Sequence, residues 1–537
     1  MGENTVQKLA ACIILGALTA APGMPQDADP PRRAARLGAF TGTVSLRPAT
    51  VDASTPAEMN RPVTTGDQFW SEADGRGELQ TDNAVIRFGG RTNFAFEELN
   101  EQATLVKIES GTLSVRLHTL APHEVFEVET PHGAFTFLRL GQYRINVSEQ
   151  GDASVVMVRL GDAQVSKADG TVTSVPEGMQ ARASAGGSPS LEPAPAIDEF
   201  DSWSMERDRR EDLSDTAHYL SRDIPGYADL DGHGAWRTVD PYGAVWFPSG
   251  VDAEWAPYRS GHWVWVDPWG MTWVDDAPWG YAPFHYGRWV QVNGAWGWVP
   301  GTTGTPGTFV VRPSYAPALV AWTHFDAGAV RPEAVVGWFP LGPGELWAPG
   351  YAVSSAYIAR VNLTNTVIVD RTVLANPDMA HANYMHREAI TAMGHDELAV
   401  GRPVGREFVR VPQTAYARAA VDAQPGLQPT REVRIGPRGP AQGAPPAIAN
   451  RAVVARQAPS PRPTAFVQRE AAPQPAAAAQ HAPNNAGASR TPAPVKQPGG
   501  VSGALSRITS GPHASGVAKN GATHPPVLPK TKQPKKQ

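Results

Sequence analysis

Gly261-His-Trp-Val-Trp-Val-Asp-Pro-Trp-Gly-Met-Thr-Trp-Val-Asp275 is echoed 26 residues later by Gly287-Arg-Trp-Val-Gln-Val-Asn-Gly-Ala-Trp-Gly-Trp-Val-Pro300. Each stretch is a pair of Trp/Val runs interrupted by a turn, Asp267-Pro-Trp-Gly270 in one and Asn293-Gly294 in the other. Asn-Gly between apolar runs is a strong hairpin signal, because both turn positions need positive φ. The reading is two β-hairpins in tandem. Tyr242-Gly-Ala-Val-Trp-Phe-Pro248 and Gly337-Trp-Phe-Pro-Leu-Gly-Pro-Gly344 look like degenerate flanking units. Two clear units fall short of the three usually needed for an open repeat array. Of the 16 tryptophans, 14 lie between Trp236 and Trp347, so a Trp-rich β-repeat module is expected over 227–350.

Two uses of these rings are open. Aromatic faces with a polar edge suit stacking on sugars, with Trp255, Tyr258, Trp263, Trp269, Trp279, Tyr286, Trp289 and Trp298 as the possible ligand-stacking residues. Alternatively, repeats poor in Leu and Ile use Trp as core, each ring removing about 150–250 Å² from water. The second use is favoured for most of them.

Outward from the repeats, residues 37–186 alternate apolar and polar with period two, as in Leu113-Ser-Val-Arg-Leu117 and Tyr143-Arg-Ile-Asn-Val147. Turn signals at Asp74-Gly75, Gly89-Gly90, Ser110-Gly111, Gly151-Asp152 and Gly161-Asp162 separate many short strands, which predicts a β-sandwich or β-solenoid. Residues 187–226 read as a charged helical spacer. Glu206/Arg210 and Arg207/Glu211 form i,i+4 pairs on a solvated surface, with Phe200 and Trp203 as anchors. A mixed extension, 351–411, follows. From 412 to 537 there are 16 Lys/Arg against 3 Asp/Glu, no Trp, and Tyr416 and Phe466 as the only aromatics. A basic Pro/Ala-rich segment of that kind cannot offset chain entropy by burial, so a disordered tail able to touch anionic surfaces is expected.

At the start, Leu9 to Ala21 is an apolar run too short to span a bilayer, followed by Pro22-Gly23, and 1–23 reads as a signal peptide. Cys12 is the only cysteine, so the mature chain would lack disulfides, zinc thiolates and a cysteine nucleophile. Export to the periplasm or cell surface is the resulting expectation.

Thr65-Gly66-Asp67, Asp74-Gly-Arg-Gly-Glu-Leu79, Glu109-Ser-Gly-Thr-Leu-Ser-Val115, Val128-Glu-Thr-Pro131, Gly141-Gln-Tyr-Arg-Ile145 and Val156-Met-Val-Arg-Leu-Gly161 occur in the order seen in FecR-type periplasmic domains, which 37–186 resembles. The Trp-rich stretch resembles a module of unknown function that follows such domains in secreted proteobacterial proteins. The resemblance implies residence in a Gram-negative envelope, and FecR proteins themselves relay receptor signals to sigma factors. It implies no chemistry for the Trp-rich part.

Turn formation and packing account for the residues that could suggest catalysis. Asp267, Asp275, Asp276 and Glu254 could serve as paired carboxylates for glycoside hydrolysis, but three of them sit where hairpin turns favour Asp. His262 and His285 lack a third ligand by spacing, and His381, His386 and His395 are too loosely placed to share a helix face. No phosphate-binding, zinc-protease or nucleophile-elbow motif occurs. The expectation is therefore mainly β and non-catalytic, with no cofactor and no metal. The chain would be an exported binding or scaffold protein whose partner is cell-wall glycan or another envelope protein, with no specific nucleic acid. A carbohydrate- or peptidoglycan-active protein and a FecR-like sensor are the alternatives.

Overall fold

The computed structural model describes residues 29–301, 312–366, 384–405 and 408–455. The expected signal segment, His381 and residues 456–537 of the expected tail lie outside them. Among the described residues no helix is long and apolar enough to cross a membrane.

The alternating stretch folds as seventeen strands from Ala35 to Pro193. Its organiser is the fifteen-residue strand Ala103–Leu117, which belongs to two layers. Its first half pairs in parallel with Val125–Thr130 and antiparallel with Asn93–Leu99; its second half pairs antiparallel with Ala84–Phe88 and Gly141–Val147. The strand changes layer at Gly111, where φ is +98° and an added Cβ would lie 2.4 Å from Thr92 Cα. Only glycine tolerates both conditions. The inward positions of both layers (Phe94, Phe96, Val106 and Ile108 facing Ile86, Leu113, Val115 and Ile145) merge into one buried core. Two sheets over a shared core make a sandwich rather than a solenoid. Thr65-Gly-Asp67 works as a structural turn: Asp67 accepts hydrogen bonds from Thr64 N and Ala49 N, both at 2.9 Å, and Thr65 Oγ1 accepts from Leu99 N at 2.9 Å.

The expected solvated spacer needs correction. The helix Glu199–Asp212, capped by Asp198 at Asp201 N, lies on the outer face of the sandwich. Glu206 and Arg209 pair along the helix at 3.3 Å, but its other charges turn to neighbouring elements. Arg207 donates to Glu78, Asp208 accepts from Arg87 at 2.7 Å, and Arg210 reaches Asp229 at 3.3 Å. Phe200 and Trp203 do stack against arginines, Arg144 and Arg76 respectively.

Among the described residues the Trp-rich module holds four hairpins rather than two: Gly234–Val239 with Gly243–Pro248, Gly261–Val266 with Gly270–Asp275, Arg288–Val292 with Ala295–Val299, and Val320–Phe325 with Val335–Pro340. The flanking units are full members. The first and third join through the Trp246–Trp298 pair, and the fourth recruits the short strands Thr391–Gly394 and Val421–Asp422.

The second correction concerns the tail. Residues 412–455 are packed against the body of the protein. Leu427 and Val433 are buried in the Trp-rich core, Arg61 donates to the carbonyl of Ile435 at 2.9 Å, and Val454 N donates to Thr130 O at 2.8 Å. Composition hid this because a few apolar side chains and backbone bridges anchor a segment that is otherwise Pro- and Ala-rich.

Candidate functional site

One feature repeats in all four hairpins. Trp236 faces Trp246, Trp263 faces Trp273, Trp289 faces Trp298, and Trp322 faces Trp338. Directly opposed aromatic side chains stabilise a strand pair beyond the area they bury. In the second and third hairpins a glycine stands two residues before the first Trp, because the opposing indole lies across it. A Cβ on Gly261 would meet Val274 O at 2.3 Å and Trp273 Cζ2 at 2.7 Å; on Gly287 it would meet Trp298 Nε1 at 2.5 Å. Gly261→Ala should therefore cost about 1–3 kcal/mol by overpacking. Gly186→Ala, with nothing within 4 Å of the new Cβ, should change stability by less than about 0.5 kcal/mol. Chemical denaturation of the two variants compares them directly.

The pairs then pack on one another. Trp263 lies 5.3 Å from Trp273, 4.5 Å from Trp322 and 5.4 Å from Trp338, centroid to centroid. Trp255 meets Trp289 at 5.5 Å and Trp279 at 6.0 Å, and Trp279 meets Trp246 at 5.0 Å. Of the eight residues singled out for stacking, Tyr258, Trp263, Trp269, Trp279, Tyr286, Trp289 and Trp298 are all at most 5% exposed, and Trp255 is half-buried. They are brought together, but as a core and not as an exposed platform. Several polar edges are spent inside as well. Trp289 donates to Pro283 O at 3.0 Å, Trp298 to Tyr286 O at 2.8 Å, and Trp338 to Tyr258 O at 2.8 Å.

Indoles do border a groove at the edge of the module. Trp265, Trp269, Trp322, Trp347 and Tyr351 surround a void of about 50 Å³ closed by Gln424-Pro-Gly-Leu427 of the C-terminal segment. The chain's own C-terminal segment thus forms one wall of this aromatic slot, and Val421–Asp422 adds a strand beside it.

The acidic residues do not converge on a shared reaction centre. Asp267 accepts from Trp265 Nε1 at 2.9 Å and pairs with Arg434. Asp275, fully buried, accepts from Trp273 Nε1 and Ala277 N, both at 3.0 Å, and burial pushes its carboxyl well above the usual range. Burial likewise raises Asp276, while Glu254 is exposed and pairs with Arg410 at 2.9 Å. Asp275 is thus an internal acceptor at a strand end rather than a simple turn residue.

The histidines are engaged separately. His285 contacts Ala316 O at 2.8 Å, and burial depresses its imidazole to about 3, so it stays neutral. His386 contacts Trp289 O at 3.1 Å, and His395 is exposed beside Asp396. His262 faces Glu58 of the sandwich at 3.2 Å, and Arg438 donates to the other oxygen of Glu58 at 3.0 Å. Burial opposes the ionised carboxyl, but His262 and Arg438 hold Glu58 down at about 2. Among the described residues no group of three His, Cys, Asp or Glu could hold a metal.

This seam between the modules was not legible in sequence. Arg36 donates to Asn60 Oδ1 at 2.9 Å and to Pro278 O at 3.2 Å, and Asn60 donates to Ala277 O at 2.7 Å. The residues that meet across it, Arg36 with Pro278 and Asn60 with Ala277, are more than 200 positions apart, and no local pattern marks them.

Fold and site define a two-module β protein, a sandwich joined to an indole-cored hairpin array. Residues 227–345, which contain all four hairpins, match a family of unknown function, DUF6600. No curated protein matches the chain. Among solved structures, the chain is similar to two crystal structures of a candidate anti-sigma factor from Parabacteroides distasonis. Identities are 15% and 14%, TM-scores 0.21 and 0.23, with 24% and 26% of this chain covered. The matches span 59% and 64% of those chains.

Proposed function

We propose that this chain is a non-catalytic exported envelope protein that serves as a scaffold, its two β modules clamped into a single unit by the C-terminal segment. The observation that carries the reading is the course of residues 421–454. On the Trp-rich side, Val421–Asp422 joins the fourth hairpin and Arg434 pairs with Asp267. On the sandwich side, Arg438 pairs with Glu58, Ala441 bridges Ser54, Arg451 donates to Glu109 O at 2.6 Å, and Val454 bridges Thr130. Such a clamp suits a protein that holds a fixed surface. The aromatic rings, spent on the core, supply rigidity in this account. Export is supported by the apolar Leu9–Ala21 run and by the FecR-like order of motifs in 37–186.

Two measurements test this. Mild proteolysis should yield a resistant fragment reaching at least to residue 455; early release of 412–455 from an intact body would contradict the clamp. Mass spectrometry of fractionated cells should find a periplasmic or surface form beginning between Pro22 and Met24. A cytoplasmic form retaining Met1 would contradict export.

A further inference from the structure

We propose that the apolar edge of the sandwich formed by Leu138, Leu140, Leu160 and Ile197 is the contact through which two copies of this chain pair about a two-fold axis. Backbone pairing gathers these residues. The loop Leu138-Arg-Leu140 joins the strands Gly133–Phe137 and Gly141–Val147. Leu138 N donates to Asp162 O at 2.9 Å, and Leu160 pairs across the ladder with Gln142, just past the loop. Arg159 donates to Pro195 O and so draws the run before the helix to the same edge. Ile197 and Met205 border the cavity that Gln142 and Arg159 also line. The four aliphatic residues are 47–54% exposed, and Met205 beside them is 44% exposed. Single half-exposed leucines are ordinary, whereas five large apolar side chains gathered at one edge mark an interaction surface. The surface belongs to the sandwich and is independent of the scaffold reading.

Area and charge select the occupant. Together these side chains leave on the order of 400 Å² of apolar surface in water, within the range of about 300–600 Å² where a monomer's largest patch is often functional. A standard protein interface buries about 800 Å² on each side, slightly more than half of it non-polar. One such patch from each of two copies therefore supplies the apolar part of an interface of that size. The rim carries both signs. Arg139, in the middle of the loop and mostly exposed, reaches Asp162 at 2.8 Å, and Glu177 accepts from Gly161 N at 3.4 Å. A two-fold contact sets one surface against its own copy, so it needs a patch that complements itself. A rim with a cation and two carboxylates can set opposite charges together across the axis. An anionic lipid surface would instead meet Asp162 and Glu177 against a single arginine.

The test is sedimentation equilibrium of the full chain over a range of micromolar concentrations, with flotation on phosphatidylcholine vesicles as a separate arm. The expected result is a monomer–dimer equilibrium and no flotation. Leu140→Asp and Leu160→Asp should each weaken the dimer at least about tenfold while keeping the parent's circular dichroism, since both side chains are half-exposed. Ile197→Asp, outside any strand or helix, should do the same and keeps the test open if a leucine variant misfolds. A parent that stays monomeric, a dimer that the folded variants leave unchanged, or a monomer that floats with the vesicles would each overturn the assignment.

Discussion

Trp263→Ala is expected to lower the unfolding free energy by about 3–5 kcal/mol, the range for truncating a buried aromatic to alanine. The indole is fully buried and touches three other tryptophans from two hairpins. Its removal therefore leaves a cavity that rigid neighbouring rings cannot close. A loss of that size is a large share of the stability of a typical domain, about 5–15 kcal/mol. Urea unfolding followed by far-ultraviolet circular dichroism reads the effect. A variant within about 1 kcal/mol of the parent would show that the ring is not part of the core.

Glu78→Gln should be comparably costly, about 3–5 kcal/mol, because it removes one charge from a buried ionic group, takes the carboxylate from Arg207 and leaves Arg87 with Asp208 alone. Glu78 is buried on the sandwich face. Arg87 Nε donates to it at 2.7 Å from a neighbouring strand, and Arg207 Nη2 donates at 2.7 Å from the spacer helix. Burial by itself would raise its carboxyl, but the hydrogen bond from Arg207 and the charges of Arg87 and Arg207 hold it at about 2. A depressed folded-state value adds stability that is complete above the unfolded value of about 4.3 and is lost as pH falls through the folded one. The parent should accordingly weaken between about pH 4.5 and pH 2, and Glu78→Gln should show a flatter acid limb. Equal acid limbs in the two proteins would rule Glu78 out as a source of that dependence.

The hairpins were the most legible part of the molecule, since Asn293-Gly294 and the paired Trp/Val runs state both turn and strand locally. The sandwich was readable from period-two alternation, but the strand that joins its layers was not. Glu109-Ser-Gly-Thr-Leu113 reads as a strand break, yet Gly111 lets one strand bend through both sheets. Helix Glu199–Asp212 was found as a helix and misplaced in solvent. Its i,i+4 charge spacing is the same whether arginines and acids face each other or a sheet lined with Glu78, Arg87, Arg116 and Arg144. The packed part of the tail escaped detection because Leu427, Val433 and Val454 are too sparse to raise its hydrophobicity. The candidate stacking residues come together in the structure, but spacing alone could not say whether the rings face each other or a ligand.

The separation of packing from binding is sharpest at Trp289, 1% exposed, hydrogen-bonded to Pro283 O and 5.6 Å from the ring of Phe284. The decisive measurement pairs the thermal melt of Trp289→Ala with its co-sedimentation on purified cell-wall polysaccharide. A core role predicts a melt lowered by several degrees, with sedimentation by the remaining folded protein equal to the parent's. A variant that melts like the parent yet no longer sediments with the polysaccharide would contradict the account and make the Trp-rich module a sugar-binding face.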